Sequence, residues 1–197
     1  MTLKVEVDGS QFGELAKVIR ALGKDAAPAM ARAVNHTGAK ALTQVTRTLT
    51  AQTGLNRKVI VKALRVEKAV AARGTSAFII RGGGGNISLK YFGAGETTEG
   101  VNAAPLGDRQ LYTGAFMKAG GFRKGRVSKP NWNGQVFRRT GGKTNTGKDK
   151  FEKVRSGVYI AEQMVTGATA EAFQTVVRRD LPGRIQHEIL RALDGAK

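Results

Sequence analysis

The chain has 197 residues, enough for one ordinary domain with an arm, because domains cluster near about 100–150 residues. The absence of cysteine excludes disulfide scaffolds, cysteine-ligated zinc and thiol nucleophiles, and only two histidines, His36 and His187, are available for a metal site. No apolar run approaches the roughly 20 residues of a membrane span, and the N-terminal residues lack the apolar core of a signal peptide. We therefore expect a soluble protein that is synthesised in the cytoplasm and has no membrane partner.

The net charge of +18 is concentrated in two parts of the chain. Residues 57–90 carry a net +7 and residues 115–155 a net +10, whereas residues 156–197 are neutral. A concentrated field of this kind predicts a polyanionic neighbour, such as nucleic acid or an acidic protein ring. The alternative is a solvated basic loop without a partner.

In the N-terminal part, the apolar pattern predicts a strand followed by three helices. Alternation over Thr2–Asp8 is typical of a strand with one buried face, and Ser10 can cap a helix that ends at Gly23. A long alanine-rich helix is predicted from Asp25, and Asn56 can cap a shorter one. The apolar stripe of the long helix consists of Met30, Val34, Gly38, Leu42, Val45 and Leu49. The inner face of the short helix consists of Val59, Ile60, Ala63 and Leu64.

After the short helix, apolar residues recur at every second position, which predicts short strands joined by glycine-rich turns. The strand candidates are Ala69–Ala72, Ser76–Arg81, Asn86–Phe92, Val101–Ala104, Gln110–Phe116 and Gly134–Arg139. Residues 117–133 and 140–150 are rich in Gly, Lys, Arg and Asn, which indicates long basic loops. Residues 151–165 are ambiguous, and apolar residues at every fourth position then predict a helix near 168–194, bent or split at Pro182 after a cap at Asp180.

These elements predict an α+β fold in a single domain of residues 1–197. The N- and C-terminal helices pack on a small antiparallel sheet, and the Gly-rich basic loops form extended arms at about 117–133 and 140–150. Arms of this kind are expected to order on neighbouring subunits, at an entropy cost offset by the surface that they cover.

The most enzyme-like motif is the segment Gly142–Asp149, which matches the G-x-x-x-x-G-K spacing of a phosphate-binding loop. Asp149 stands where magnesium binding requires Ser or Thr, and no apolar strand leads into the segment, so we interpret it as a basic loop. Glu96, Glu99 and Asp108 share a loop, but neighbouring carboxylates on a loop are usually solvated. No Ser, His and acid pattern indicates nucleophilic catalysis. We expect neither enzyme activity nor a cofactor or metal.

A basic patch is predicted within residues 123–150, where nine cations are interleaved with Phe122, Trp132 and Phe137. The nine are Arg123, Lys124, Arg126, Lys129, Arg138, Arg139, Lys143, Lys148 and Lys150. Cations beside aromatic rings suit single-stranded nucleic acid, because bases stack on the rings while cations follow the backbone. Phe122 and Phe137 are spaced like strand anchors, which leaves Trp132 as the stacking candidate. We predict that the patch faces DNA or a protein partner.

Five short blocks occur in an order that is typical of one protein family. They are Ala29–Leu42, Arg57–Arg65, Leu89–Ala94 with Gly100 and Val101, Gly114–Met117, and Gly134–Arg139. Together they resemble the opening helix, the basic second block and the central motifs of the prophage minor tail protein Z family of long-tailed bacteriophages. The resemblance covers roughly residues 25–140.

The resemblance implies a virion structural protein that completes the tail at its head-proximal end. Its partners would be the tail terminator, the tube or the head–tail connector, and the family context implies a homo-oligomeric ring, with a hexamer as the expected size, around the DNA channel. Non-specific contact of the basic residues with phage DNA is part of this expectation. The alternative is a basic nucleic-acid-binding protein of the ribosome- or nucleoid-associated type.

Overall fold

A computed structural model describes residues 1–7, 23–71 and 77–194. The predicted α+β class is confirmed, since helices are combined with small antiparallel sheets. The chain divides into two compact units: unit 1 comprises Met1–Leu49, Val61–Gly83 and Ala161–Lys197, and unit 2 comprises Thr50–Ile60 and Gly84–Ile160. The helix predicted between Ser10 and Gly23 lies outside the described residues.

The long alanine-rich helix is present as α1, Ala26–Thr53. Alanine favours the helix and keeps its surface narrow, and Pro28 is tolerated because it lies in the first turn. Within unit 1, Val34 and Val45 on the predicted stripe are completely buried. Gly38 on the same stripe lies against Phe78, because a Cβ atom at this position would be 2.2 Å from the Cγ atom of that ring. The small residues of α1 therefore serve close packing inside the unit.

The sheet of unit 1 has three antiparallel strands in the order β1-β3-β2. They are β1 (Thr2–Glu6), β2 (Leu64–Glu67) and β3 (Ala77–Gly82). The predictions for β1 and β3 are confirmed, and Val5 pairs with Phe78 in the register of the two strands. Val5 and Phe78 are both buried, so the face of the sheet that carries them is the buried one. The Phe78 ring on this face is the one that contacts Gly38.

The short helix α2, Arg57–Ala63, is confirmed, and the Asn56 side chain accepts a hydrogen bond from the Lys58 amide at 3.0 Å. Leu64, predicted on its inner face, instead begins β2. The strand predicted at Ala69–Ala72 is not formed over residues 69–71, where Val70 makes only an isolated bridge. The Asn35 side chain hydrogen-bonds both the amide and the carbonyl of Ala69 at 2.9 Å. Those two groups would otherwise have been available to a neighbouring strand.

The C-terminal part consists of α3 (Ile160–Met164) and α4 (Gly167–Asp194). The long helix is confirmed, but it continues through Pro182 without being split there. Asp180, predicted as a second cap, forms ion pairs instead, with Lys40 at 3.3 Å and with Arg179 at 2.6 Å. Nearly two turns after the proline, α4 also carries a fully buried carboxylate, Glu188.

Glu188 is held between two arginines, which explains how a carboxylate can be buried. Arg32 of α1 approaches it at 2.6 Å, and Arg184, one turn earlier on α4, contacts its other oxygen. Burial raises the pKa of Glu188, but the hydrogen bond from Arg32 and the charges of both arginines outweigh this effect and hold the pKa below its usual value. The carboxylate therefore stays ionised and ties α1 to α4 within unit 1.

Unit 2 contains two further three-stranded antiparallel sheets. The first has the order β4-β5-β6, with β4 at Gly95–Glu96, β5 at Gly100–Ala103 and β6 at Gln110–Thr113. The second has the order β7-β8-β9, with β7 at Ala115–Phe116, β8 at Phe137–Lys143 and β9 at Asp149–Lys153. The predicted strands around 101–104 and 110–116 are confirmed, the latter with a break at Gly114.

Two predictions in unit 2 are wrong. Asn86–Phe92 is not a strand: Ser88 makes only an isolated bridge to Arg155, and Leu89–Tyr91 forms a 3-10 turn. The spacing of the buried Leu89 and Phe92 fits that turn rather than an alternating strand. The second error is the loop at 140–150, because β8 extends to residue 143 and β9 begins at residue 149. Residues 144–148 alone form the turn of this hairpin.

Candidate functional site

The nine predicted cations fall into two groups within unit 2. The group from Arg123 to Lys129 lies in the segment between β7 and β8, and the group from Arg138 to Lys150 lies on the β8–β9 hairpin. We call residues 137–153, which include this hairpin, the basic ribbon. All residues from 138 to 153 except Gly142 and Thr144 are exposed, so the ribbon presents both of its faces to solvent over most of its length.

The strand register decides which side chains share a face of the ribbon. Phe137 and Arg139 lie two residues apart on β8, and Phe151 pairs with Arg139 across the hairpin. These three residues therefore share one face, whereas Arg138 and its partner Glu152 lie on the other. The ribbon thus has an aromatic face and an opposite face that is charged at this position.

Arg139 and Lys143 are paired with an acid on the ribbon itself. The Arg139 guanidinium lies 3.2 Å from the Asp149 carboxylate, and Lys143 contacts the other carboxylate oxygen. Hydrogen bonding and charge from Lys143, with a smaller contribution from Arg139, hold the pKa of Asp149 below its usual range. All three side chains are largely exposed, so these ion pairs are weak in free energy but fix the side-chain positions near the strand bulge.

Four aromatic rings form a cluster at the base of the ribbon. The centroids of the four rings are all between 5.0 and 6.1 Å apart. The rings are those of Phe116 on β7, Trp132 in the segment between β7 and β8, Phe137 on β8 and Phe151 on β9. Phe137 is almost fully buried, whereas 44% of Phe151 is exposed. The Arg139 guanidinium lies over the Phe116 ring, 5.1 Å from its centroid. Trp132, the predicted stacking residue, is therefore part of a larger aromatic surface.

Arg126 differs from the other predicted cations because it faces inward. Its guanidinium hydrogen-bonds both oxygens of Glu96, whose side chain is only 6% exposed. The same carboxylate accepts a hydrogen bond from the Met117 amide at 2.9 Å, and Arg126 also lies over the Phe122 ring. Burial raises the pKa of Glu96, but Arg126 and the amides of Met117 and Lys118 outweigh it and lower the pKa overall. This network holds residues 117–126 of the first predicted arm, 117–133, onto the β4 strand.

Six of the nine cations have no ion-pair partner among the described residues. They are Arg123, Lys124, Lys129, Arg138, Lys148 and Lys150. All six are exposed, and unit 2 as a whole has 16 basic and 5 acidic residues, a net +11. The structure therefore separates the patch into three cations that are paired with an acid of unit 2 and six that are available to a partner.

The segment Gly142–Asp149 occupies the end of β8, the turn and the start of β9. A phosphate-binding loop connects a strand to a helix, so that the helix N-terminus points at the phosphate. Here the segment connects two antiparallel strands, and Asp149 is paired with cations of the same hairpin. The geometry agrees with the interpretation of this motif as a basic turn.

The two histidines border one surface cavity of about 320 Å³ in unit 1, together with Lys40, Asp180 and Arg184. Burial, followed by the charges of Arg184 and Lys40, lowers the pKa of His36. Over the described ranges, no group of three or more histidine or acidic side chains is placed to hold a metal ion. A search of the same residues for a helix both long and apolar enough to cross a bilayer finds none.

Sequence reasoning missed two residues that organise this site. Glu96 was interpreted as solvated, because its partner Arg126 lies 30 positions away in the sequence. Phe151 lies in the segment that the sequence leaves ambiguous, because it is the only apolar residue of β9 and one residue makes no alternating pattern.

No protein-family model, curated protein or solved structure matches the chain. The resemblance to the tail protein family therefore rests on the five short blocks alone.

Proposed function

We propose that this protein is a structural component of a bacteriophage tail, which completes the head-proximal end as a ring around the DNA channel. In this role the basic ribbon faces a polyanionic neighbour, either the DNA or an acidic protein of the tail or connector. The chain would act by assembly and by electrostatic attraction rather than by catalysis.

The observation that carries the proposal is the set of exposed cations without acidic partners on and beside the ribbon. Arg138, Lys148 and Lys150 are carried by one hairpin, and they add to the positive field of unit 2. A polyanion is attracted by that field, and the attraction steers association as well as strengthening it. An arrangement of this kind is expected of a protein that binds a charged channel or ring.

The location of the five family-like blocks also supports the proposal. The first block lies in α1, and the second covers α2 and the start of β2. The third covers the 3-10 turn before β4 and the start of β5. The fourth lies at β7, and the fifth ends at the start of β8. These elements occur in both units, whereas the ribbon beyond residue 139 contributes no block. The elements that carry the blocks would then supply the heterologous subunit contacts of a ring.

The decisive experiment removes the free charges and leaves the paired ones. Arg138→Gln, Lys148→Gln and Lys150→Gln together neutralise three cations without unpairing Asp149 or uncovering Phe116. The matched control neutralises three exposed cations of unit 1 that have no ion-pair partner among the described residues, namely Lys24, Arg47 and Lys68. Each surface substitution is expected to change stability by no more than about 0.5 kcal/mol, so both variants should fold.

Phage that carry the ribbon variant should give fewer infectious particles and accumulate unjoined heads and tails, while the control should assemble normally. A wild-type titre from a folded ribbon variant would contradict the proposal. Tight binding of the purified protein to duplex DNA, with a steep dependence on salt, would instead indicate a nucleoid-type protein.

A further inference from the structure

We propose that the aromatic face of the basic ribbon is a stacking site for one unpaired nucleobase, so that unit 2 binds single-stranded nucleic acid. This goes beyond the tail role and does not rest on it, because it concerns one cavity of unit 2 and not the assembly of the chain. The cavity adjoins the aromatic cluster and is lined by Phe116, Trp132, Phe151, Lys118, Arg139 and Asp149, among others.

The size of the cavity fits one ring. Its volume is about 170 Å³, and an apolar cavity of about 150 Å³ holds a single benzene molecule. Three of the four clustered rings line the cavity, whereas the nearly buried Phe137 does not. A pyrimidine base could therefore contact Trp132 and Phe151 at once, and base–aromatic contacts of this kind are largely independent of sequence.

A base in a duplex is stacked on both sides and cannot enter a cavity of this shape. An unpaired base can enter it, and its phosphates then remain outside, near the cations at the cavity itself. Lys118 lines the cavity and is exposed. It has no acidic partner among the residues that the structure describes.

Asp149 distinguishes a base from an acidic peptide. Its carboxylate lines the cavity and is ionised, because Lys143 and Arg139 stabilise its charge. An acidic side chain entering beside it would be repelled, whereas the exocyclic amino group or ring N–H of a base could donate a hydrogen bond to it. The combination of aromatic rings, one acceptor and outer cations therefore favours a nucleotide over an acidic protein segment.

Trp132 is the only tryptophan of the chain and reports directly on this cavity. We would titrate the full-length protein at low salt with a thymidine decanucleotide and follow Trp132 emission, which a stacked base quenches. A decamer with the same phosphates but no bases provides the matched ligand. The expected result is saturable quenching by the thymidine decamer, and binding without quenching by the abasic decamer and by polyglutamate.

Phe151→Leu keeps the apolar character and the Trp132 probe but removes one ring, and it should weaken binding of the thymidine decamer about tenfold. Tyr91→Leu is the control variant, because Tyr91 is also exposed and lies beside a cation, Lys90, but does not line the cavity. It should bind as the wild type does.

Any of four results would overturn the proposal: no binding of the thymidine decamer, binding without quenching, equal quenching by the abasic decamer or polyglutamate, or unchanged affinity in a folded Phe151→Leu variant. The comparison of ligands uses the wild-type protein, so it decides the matter even where the variant fails to fold.

Discussion

Replacing Gly38 by alanine tests the packing of unit 1 most directly, because two physical effects predict opposite changes in the free energy of unfolding. Alanine is favoured over glycine inside a helix by about 1 kcal/mol, so helix propensity alone predicts stabilisation. The structure predicts the reverse. The new Cβ atom would lie 2.2 Å from Cγ and 2.4 Å from Cδ1 of Phe78, whereas carbon atoms pack best at about 3.5–4.0 Å.

The ring of Phe78 cannot move away easily, because only 1% of it is exposed. Its strand is paired on both sides, with β1 and β2. Overpacking a well-filled core costs typically about 1–3 kcal/mol, and an overlap of more than 1 Å belongs at or above the upper end of that range. After the gain in helix propensity is subtracted, Gly38→Ala should lower the free energy of unfolding by about 2 kcal/mol.

Gly183→Ala provides the matched control, because Gly183 lies within α4 and a Cβ atom there would meet nothing within 4 Å. This variant should be more stable than the wild type by about 0.5–1 kcal/mol. Urea denaturation followed by circular dichroism measures both changes. A Gly38→Ala protein as stable as the wild type would refute the inferred contact between α1 and β3.

Three further substitutions test individual contacts. The pKa of Glu96 is lowered in the folded protein, so its contribution to stability is present above about pH 4.5 and is lost as the pH falls through the folded-state pKa. Glu96→Gln should remove this contribution to the acid dependence of the melting temperature, measured between about pH 3 and 7. Glu188→Ala leaves two partly exposed arginines unpaired and should cost about 2–3 kcal/mol in urea denaturation. A loss below about 1 kcal/mol would contradict the role of Glu188 in joining α1 to α4. Gly100→Ala places a Cβ atom 2.2 Å from the Tyr112 carbonyl oxygen and should destabilise the protein by at least about 2 kcal/mol, whereas Gly95→Ala, with nothing within 4 Å, should not.

The two long helices were predictable because their apolar residues repeat over many turns. In α1 the stripe through Val34 and Val45 is long enough to outweigh any local ambiguity. The short segments were predicted less evenly, since β1 and β3 are present but the strand expected from Ala69 is not. Asn35 occupies the backbone groups of Ala69, and no local pattern around residue 69 reveals this contact.

The candidate site was predictable in charge but not in arrangement. Composition locates the excess of cations in residues 115–155, yet it treats Arg126 and Arg138 alike. Only the fold shows that Arg126 meets the buried Glu96, whereas Arg138 is exposed and its cross-strand neighbour Glu152 does not pair with it within 4.0 Å. The division into structural and free cations therefore depends on contacts between residues that are distant in sequence.

The same free cations connect the stability of the ribbon to its binding. A two-stranded hairpin is only marginally stable in water, and from residue 140 to 150 this one has no apolar side chain to bury. Asp149 compensates Arg139 and Lys143, whereas Arg138, Lys148 and Lys150 have no ion-pair partner among the described residues. A bound polyanion would offset that excess of positive charge, and anything that binds the ordered form in preference stabilises it. The stability of the ribbon and the binding of such a polyanion would therefore be linked through the same side chains, whether the polyanion is a tail component or a single nucleic-acid strand.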